Sequence, residues 1–240
     1  MSSVELPPEP LGRSLRATVP LSFVAGFVDL VGFVALYGLF ASHITGNFTV
    51  IGSDIVHGSS GFIAKLLALP MFVVFVVITR YLVLGYEQQN RSPLRALLVL
   101  QGVLLAGCML VGQSVSPVTD PDKAGPILAG LLGVSAMAVQ NGYGRLVLVG
   151  HPTTTIMTVN LTQAVIDFVD MYRGIPGVSE RARTRFDRIA PTVLAFIVGT
   201  LAGAYGYMLL TFWSLAIPLV ALLAVGIFVS THSGDSSRHS

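Results

Sequence analysis

The sequence predicts an all-α membrane protein with about six transmembrane helices, arranged as a 3+3 inverted repeat and interrupted by two polar segments. Three observations lead to this prediction: an apolar composition, six windows long enough to cross a bilayer, and a polar phrase that occurs twice. Of the 240 residues, 53% are hydrophobic and 11% are charged, and the mean hydropathy is +0.76. A soluble domain carries about 25% charged residues, so the deficit of charge indicates an integral membrane protein.

Composition also excludes several kinds of partner and site. The formal net charge of +2 is too small to suggest a nucleic-acid-binding protein. The single cysteine, Cys108, rules out an internal disulfide and argues against a cysteine-based metal site. We therefore expect no cofactor and no metal.

The chain divides into a lead, two repeats and a tail. Residues 1–16 are rich in Pro and Ser and are predicted to be disordered. The first repeat covers 17–116, the second covers 126–230, and 231–240 form a polar tail. A transmembrane helix needs about 20 mostly apolar residues. The windows that meet this requirement are 17–40, 66–86, 96–115, 126–149, 190–210 and 212–230.

Two polar segments lie between these windows, and both contain the phrase Thr-x-Asn-x-Thr. The first follows window one and the second follows window four; the phrase residues are Thr45, Asn47, Thr49, Thr158, Asn160 and Thr162. Acidic residues follow each phrase, at Asp54 and at Asp167. Neither segment suits a lipid-facing span, and we predict that both are interrupted or re-entrant.

Basic residues predict the orientation, because Lys and Arg in short loops favour the cytoplasmic side. Basic residues occur in three regions: before window one at Arg13 and Arg16, in the 87–95 loop, and in 173–188. The stretch 41–61 has no Lys or Arg. If neither polar segment crosses, all three basic regions share one side with both termini. We therefore predict six spans rather than eight, with both termini cytoplasmic.

The two halves of the chain match in sequence. Ala25–Gly32, "AGFVDLVG", aligns with Met137–Gly144, "MAVQNGYG", and pairs Asp29 with Asn141. Because each half has three spans, an odd number, the second half must insert upside down. Inverted repeats with interrupted helices at matching positions point to a transporter site near the midplane.

These motifs carry a resemblance to a known family. The stretches "AGFVDLVGF", "GLFASHITGN" and "MAVQNG…PTTTIMTVNLTQ" resemble the YoaK family of uncharacterised bacterial integral membrane proteins, which carry a domain of unknown function. The resemblance runs over nearly the whole chain and implies a bacterial cell-membrane protein with about six spans. It implies no substrate and no catalytic residues. Val159 occupies the place where the family's second motif has glycine.

Asp29 is the acidic residue deepest in any predicted span. A carboxyl group in a membrane helix is costly and is a functional candidate by default, so we predict that Asp29 carries the proton if transport is proton-coupled. Gln140 and Asn141 lie at the corresponding place in window four. Their amides are either substrate ligands or hydrogen-bonding groups that pack the helices together. The predicted substrate-binding residues are Asp29, Thr45, Gly46, Asn47, Thr49, Gln140, Asn141, Thr158, Asn160, Thr162 and Gln163.

The predicted function is that of a small secondary transporter whose central site is formed by the two Thr-x-Asn-x-Thr segments. Its partners are the lipid bilayer and a small polar solute or ion, and a homodimer is left open. The alternatives are a channel and a non-transporting scaffold or assembly factor. We expect no enzyme, because the chain has no HExxH, Gly-x-Ser-x-Gly or phosphate-binding glycine loop.

Overall fold

Helices form throughout residues 11–233, the part of the chain that this computed structural model describes, and no strand occurs there. Two of the helices, α2 and α6, are short, and each begins close to a Thr-x-Asn-x-Thr phrase. The helices are α1 (Leu11–Ala35), α2 (Ile44–His57), α3 (Phe62–Gln88), α4 (Leu94–Ser114), α5 (Ala124–Leu146), α6 (Met157–Arg173), α7 (Val178–Leu210) and α8 (Ala216–Ser233). A 3-10 turn, Thr211–Leu215, joins α7 to α8.

Five stretches of these described residues are long and apolar enough to cross a membrane. Four of them lie in α1, α3, α4 and α5, and the fifth, Val178–Val229, has 52 residues. As one straight helix the fifth stretch would measure about 78 Å, more than twice the roughly 30 Å hydrocarbon core. The 3-10 turn divides it between α7 and α8. The predicted membrane protein is thus supported, whereas the count of six spans stays a prediction.

Three loops meet at one end of the bundle. The Tyr37 hydroxyl, just after α1, donates to the Val118 carbonyl in the α4–α5 loop at 3.2 Å. The Gly61 N–H, just before α3, donates to the Asp122 carboxylate of the same loop at 3.0 Å. Helix α2 lies between Tyr37 and Gly61, so the segments before and after it both reach this end of the bundle. Its 14 residues measure about 21 Å, too short to cross.

The short helix α6 lies correspondingly at the opposite end. Thr211, after α7, donates to Gln113 near the end of α4 at 2.6 Å, so α7 finishes at the end where α5 starts. The segments before and after the intervening α6 therefore both reach the other end of the bundle. There the Arg16 guanidinium of α1 lies 5.4 Å from the ring centroid of Phe228 in α8.

The core packing pairs α1 with α7 and α3 with α5. Glycines bring α1 and α7 close together. A Cβ added at Gly26 would lie 2.2 Å from the Phe196 carbonyl, and one at Gly199 would lie 2.2 Å from the Phe23 carbonyl. Small residues at such crossings let helix backbones approach. The remaining pairs include α2 with α3, α6 with α7, α4 with α5 and α1 with α8.

Several predicted boundaries differ from the structure. Helix α1 begins at Leu11, within the predicted disordered lead, of which 1–10 lie outside the described residues. It ends at Ala35 rather than at 40, because the next residues include Tyr37 and Gly38 at φ values of +54° and +90°, which a helix cannot contain. Helix α8 extends to Ser233; residues 234–240 of the predicted tail lie outside the described part.

Helix α7 also differs, since it begins at Val178 rather than near 190. The basic stretch before 190 is helical because it has a buried side: Ala182 is fully buried and Arg185 pairs with Asp167. A stretch read as a loop by its charge thus forms the first turns of a long helix.

Candidate functional site

Asp29 holds the loop between α1 and α2 against the middle of α1. Its Oδ1 accepts hydrogen bonds from the N–H groups of Ala41 at 2.9 Å and Ser42 at 2.6 Å, and its Oδ2 accepts from the Ser42 hydroxyl at 2.8 Å. Asp29 is buried and lies six residues before Ala35, about 9 Å along the helix. The chain therefore folds back into the bundle after α1, and α2 returns from that depth.

His43 completes the contact. Its Nδ1 meets Asp29 Oδ2 in a hydrogen-bonded ion pair. The Asp29 carboxylate raises the pKa of His43, chiefly by accepting this hydrogen bond and further by charge attraction, against an opposing effect of partial burial. The ring also packs edge-to-face on Phe196 of α7, with centroids 5.8 Å apart. The predicted site residues do not include His43, and only the fold brings it to Asp29.

A cavity of about 540 Å³ opens beside this pair. Its walls are mostly apolar, and the polar groups are concentrated where α2 begins. Helix α7 contributes Phe196 and Thr200 to the far wall, neither of which was predicted. The lining residues are Gly26, Asp29, Leu30, Phe33, Phe40, His43, Thr45, Gly46, Phe196 and Thr200.

Asn47 secures the same loop from α2. Its side-chain amide donates to the Phe40 carbonyl at 2.9 Å, and its carbonyl oxygen accepts from the Phe40 N–H at 2.8 Å. Asn47 is 1% exposed, whereas Thr49 is exposed on the same helix. The amide thus bonds its own loop.

The second half of the chain repeats these contacts at the same chain separations. Asn141 Oδ1 accepts from the Thr155 hydroxyl at 2.6 Å, fourteen positions on, the separation of Asp29 and His43. Asn160 donates to the Thr153 carbonyl at 2.6 Å, seven positions back, as Asn47 does to Phe40. Thr158 and Thr162 are exposed on α6.

The cavity beside the second cluster is much smaller. It measures about 10 Å³ and is lined by Gln140, Asn141, Gly144, Arg145, Thr153, Thr154, Thr155 and Ile156. A space of that size holds about one water molecule. Of the predicted site residues, Asp29, Thr45 and Gly46 line the larger cavity, Gln140 and Asn141 line the smaller one, and the other six line neither.

Gln140 lies in a buried hydrogen-bond network. Its amide donates to the Leu21 carbonyl at 2.8 Å and the Thr154 hydroxyl at 3.0 Å, and its oxygen accepts from Gln101 at 2.7 Å. The Tyr143 hydroxyl donates to Gln101 at 2.7 Å. These bonds join α1, α4 and α5, so Gln140 serves helix packing, one of its two predicted readings.

Each short helix also carries an aspartate that pairs with the next long helix. Asp54 accepts from the buried Lys65 ammonium at 2.5 Å. The fully buried Asp167 accepts from the Arg185 guanidinium at 2.6 Å and from the predicted residue Gln163 at 2.9 Å. Lys65 and Arg185 were not predicted as site residues, although each follows a recurring aspartate.

A model of a protein family described as "Protein of unknown function (DUF1275)" matches residues 17–228 of this chain. No curated protein matches the chain, and no solved structure does.

Proposed function

This chain belongs to the DUF1275 family of proteins of unknown function, and we propose that it is a secondary transporter of the bacterial cell membrane. In this proposal both termini are cytoplasmic, and the solute is a small polar molecule or ion. The site is the cavity beside Asp29 and His43. We also propose, from the motif resemblance, that the chain is a member of the YoaK family.

The observation that carries the proposal is the unequal state of two matching cavities. The cavity beside Asp29 measures about 540 Å³, and that beside Asn141 measures about 10 Å³. They lie where the chain folds back after α1 and after α5, toward opposite ends of the bundle. A transporter that alternates its access opens one side while the other is closed, and inverted repeats allow the two sides to exchange states.

The packing supports a 3+3 inverted repeat. Helix α1 packs on α7 as α5 packs on α3, and α2 packs on α3 as α6 packs on α7. If α1 is exchanged with α5, α2 with α6 and α3 with α7, each of these packing pairs becomes another pair of the same set. The polar contacts behave in the same way, with separations of fourteen and seven in both halves.

The chemistry of the open cavity suits proton coupling. Asp29 and His43 are two titratable groups in direct contact, and both line the cavity. A solute that hydrogen-bonds to one of them would separate the pair and change which group holds a proton. Intramembrane carboxyls act in this way in pumps and transporters.

The proposal moves the site away from a shared centre of the two polar segments. Asn47 and Asn160 each bond their own loop, to Phe40 and to Thr153, and neither lines the cavity beside Asp29 or that beside Asn141. These loop contacts are also the observation that favours a scaffold, since they need no solute.

The transport proposal is tested with purified protein in liposomes that contain a pH-sensitive dye. A panel of amino acids, sugars and small anions is added outside, and proton movement is recorded for each. We expect saturable, solute-dependent proton flux, which Asp29→Asn abolishes and the exposed control Glu87→Gln retains. Flux that does not saturate would favour a channel, and no flux with any solute would favour a scaffold.

The inverted repeat is tested separately by single-cysteine labelling in a Cys108→Ser background. Ser59 and Ser92 are exposed in turns at opposite ends of the bundle. In intact cells a membrane-impermeant maleimide should label Ser59→Cys and leave Ser92→Cys unlabelled. Labelling of position 92 from outside would contradict the proposed orientation.

A further inference from the structure

A long groove separates α4 from α8 on the outside of the bundle. It measures about 700 Å³ and is lined by side chains of these two helices. Two glycines, Gly102 of α4 and Gly226 of α8, deepen it: a Cβ added at either would meet no atom within 4 Å. The groove therefore has open volume on both walls within a stretch of apolar helix.

One end of the groove is charged. Arg95, near the start of α4, is the charged residue among those lining it, and its side chain is exposed. Ile227 of α8 lies at the same end, because α4 starts where α8 finishes. Among the described ion pairs none includes Arg95. Within residues 11–233, the arginine at the head of this apolar groove has no carboxylate partner.

The depth of the groove matches one leaflet. From Arg95 to Ala106, the lining residues of α4 span eleven helical steps, or about 16 Å. This is close to half of the roughly 30 Å hydrocarbon core. A chain that enters at Arg95 and follows the groove would end near the bilayer midplane.

We propose that this groove binds one acyl chain of an anionic phospholipid, with the lipid phosphate on the Arg95 guanidinium. The planar guanidinium bonds phosphate oxygens in pairs, and basic pockets between transmembrane helices bind anionic headgroups. A second copy of the chain fits less well, because neither α4 nor α8 contains Asp or Glu. In a symmetric pair packed through this groove, Arg95 would meet no carboxylate from either helix.

The test uses native mass spectrometry of the purified full chain with phosphatidylglycerol or phosphatidylcholine of identical acyl chains. Wild type should retain one phosphatidylglycerol with an affinity about tenfold higher than for phosphatidylcholine, because the quaternary ammonium of phosphatidylcholine offsets the phosphate charge that Arg95 would pair with. Arg95→Gln should bind both lipids equally. Arg80→Gln, at an arginine that pairs with Glu87 on α3, is the matched control and should keep the preference.

A second variant fills the groove without changing its charge. Gly102→Leu with Gly226→Leu should abolish lipid retention. The control Gly85→Leu places the same side chain at a glycine of α3 that also faces open space, and it should retain the lipid. A thermal shift reports the same binding, because phosphatidylglycerol should raise the Tm of wild type, Arg80→Gln and Gly85→Leu but not that of the variant with both leucines in the groove.

Four outcomes would overturn the proposal. Wild type could retain both lipids equally, or Arg95→Gln could keep the preference. Inorganic phosphate could displace the lipid fully, which would assign Arg95 to free phosphate instead. Filling the groove could change the dimer fraction and leave lipid retention intact, which would make the groove an interface between copies.

Discussion

The Asp29 carboxylate and the His43 ring, fourteen positions apart, join the middle of α1 to the loop that precedes α2. Asn141 and Thr155 make the matching contact at the same separation in the second half, between two neutral groups. The contact is thus the same in chain separation while its chemistry differs. One half holds an aspartate–histidine pair at a cavity of about 540 Å³, and the other holds an amide at one of about 10 Å³.

Asp29→Asn should fold, whereas Asp29→Leu should be strongly destabilised. An asparagine can keep its oxygen on the Ala41 and Ser42 N–H groups and donate from its amide to the Ser42 hydroxyl. Leucine leaves both N–H groups without an acceptor in the bundle, at about 1–3 kcal/mol each. Thermal unfolding in detergent measures the difference. Equal losses of Tm in the two variants would contradict the hydrogen-bond argument.

The stability of the protein should decrease as the pH rises above neutrality, because of His43. Its folded-state pKa is raised above the usual value of about 6.5. The contribution of His43 to the free energy of unfolding is therefore complete below about pH 6.5. It is lost as the pH rises through the folded-state pKa. Tm recorded from pH 6 to pH 9 should fall for wild type, and His43→Gln should remove that part of the decrease. His57→Gln, at an exposed histidine, is the control and should behave like wild type.

The positions of the helices could be predicted from sequence because apolar runs of about 20 residues have few other uses. The match over 17–228 confirms the predicted membership of a family with a domain of unknown function, and the name YoaK stays a prediction. Helix ends were less predictable. Helix α1 stops early at a backbone turn around Tyr37, and α7 starts early because its charged first turns have a buried side at Ala182.

The partners of the site residues could not be predicted. Asn47 was identified from its repeated motif, but it bonds main-chain atoms of Phe40, and any residue type offers those atoms. Lys65 was missed because a lysine at the start of a span suggests an interfacial anchor. Its burial depends on Asp54, eleven positions earlier, and that approach exists only once α2 has folded against α3.

Gly199→Ala should destabilise the crossing of α1 and α7. The added Cβ would lie 2.2 Å from the Phe23 carbonyl, a backbone atom that moves only with its helix. Overpacking of this kind costs about 1–3 kcal/mol. Gly144→Ala is the matched control, because a Cβ there meets nothing within 4 Å, and its Tm should equal or exceed that of wild type. Similar Tm values for both variants would mean that the helices can separate freely.

Asn47→Ala should loosen the loop before α2. It removes two hydrogen bonds to the half-buried Phe40 and leaves the Phe40 N–H and carbonyl unpaired, at up to about 1–3 kcal/mol each. Limited proteolysis within 36–43 should accelerate and the Tm should fall. Thr49→Ala changes an exposed member of the same motif and should alter neither. If Thr49→Ala changed proteolysis and Tm as much as Asn47→Ala, the motif would have a role that these contacts do not explain.

The two ion pairs should respond to mutation in opposite order, because a different partner is buried in each. The Lys65 side chain is 0% exposed and that of Asp54 is 11% exposed, whereas the Arg185 side chain is 50% exposed and that of Asp167 is 0% exposed. Removing one partner of a buried pair costs about 3–5 kcal/mol when the remaining charge cannot reach water. Asp54→Asn should therefore destabilise more than Lys65→Met, since it leaves the lysine charge buried. At the other end Arg185→Met should destabilise more than Asp167→Asn. The first variant leaves a buried carboxylate without its partner, whereas the second leaves an arginine that water can solvate. Tm values of the four single variants test this order, and the double variant Asp54→Asn with Lys65→Met should recover part of the loss. The same order at both ends would mean that burial of the remaining charge does not decide the cost.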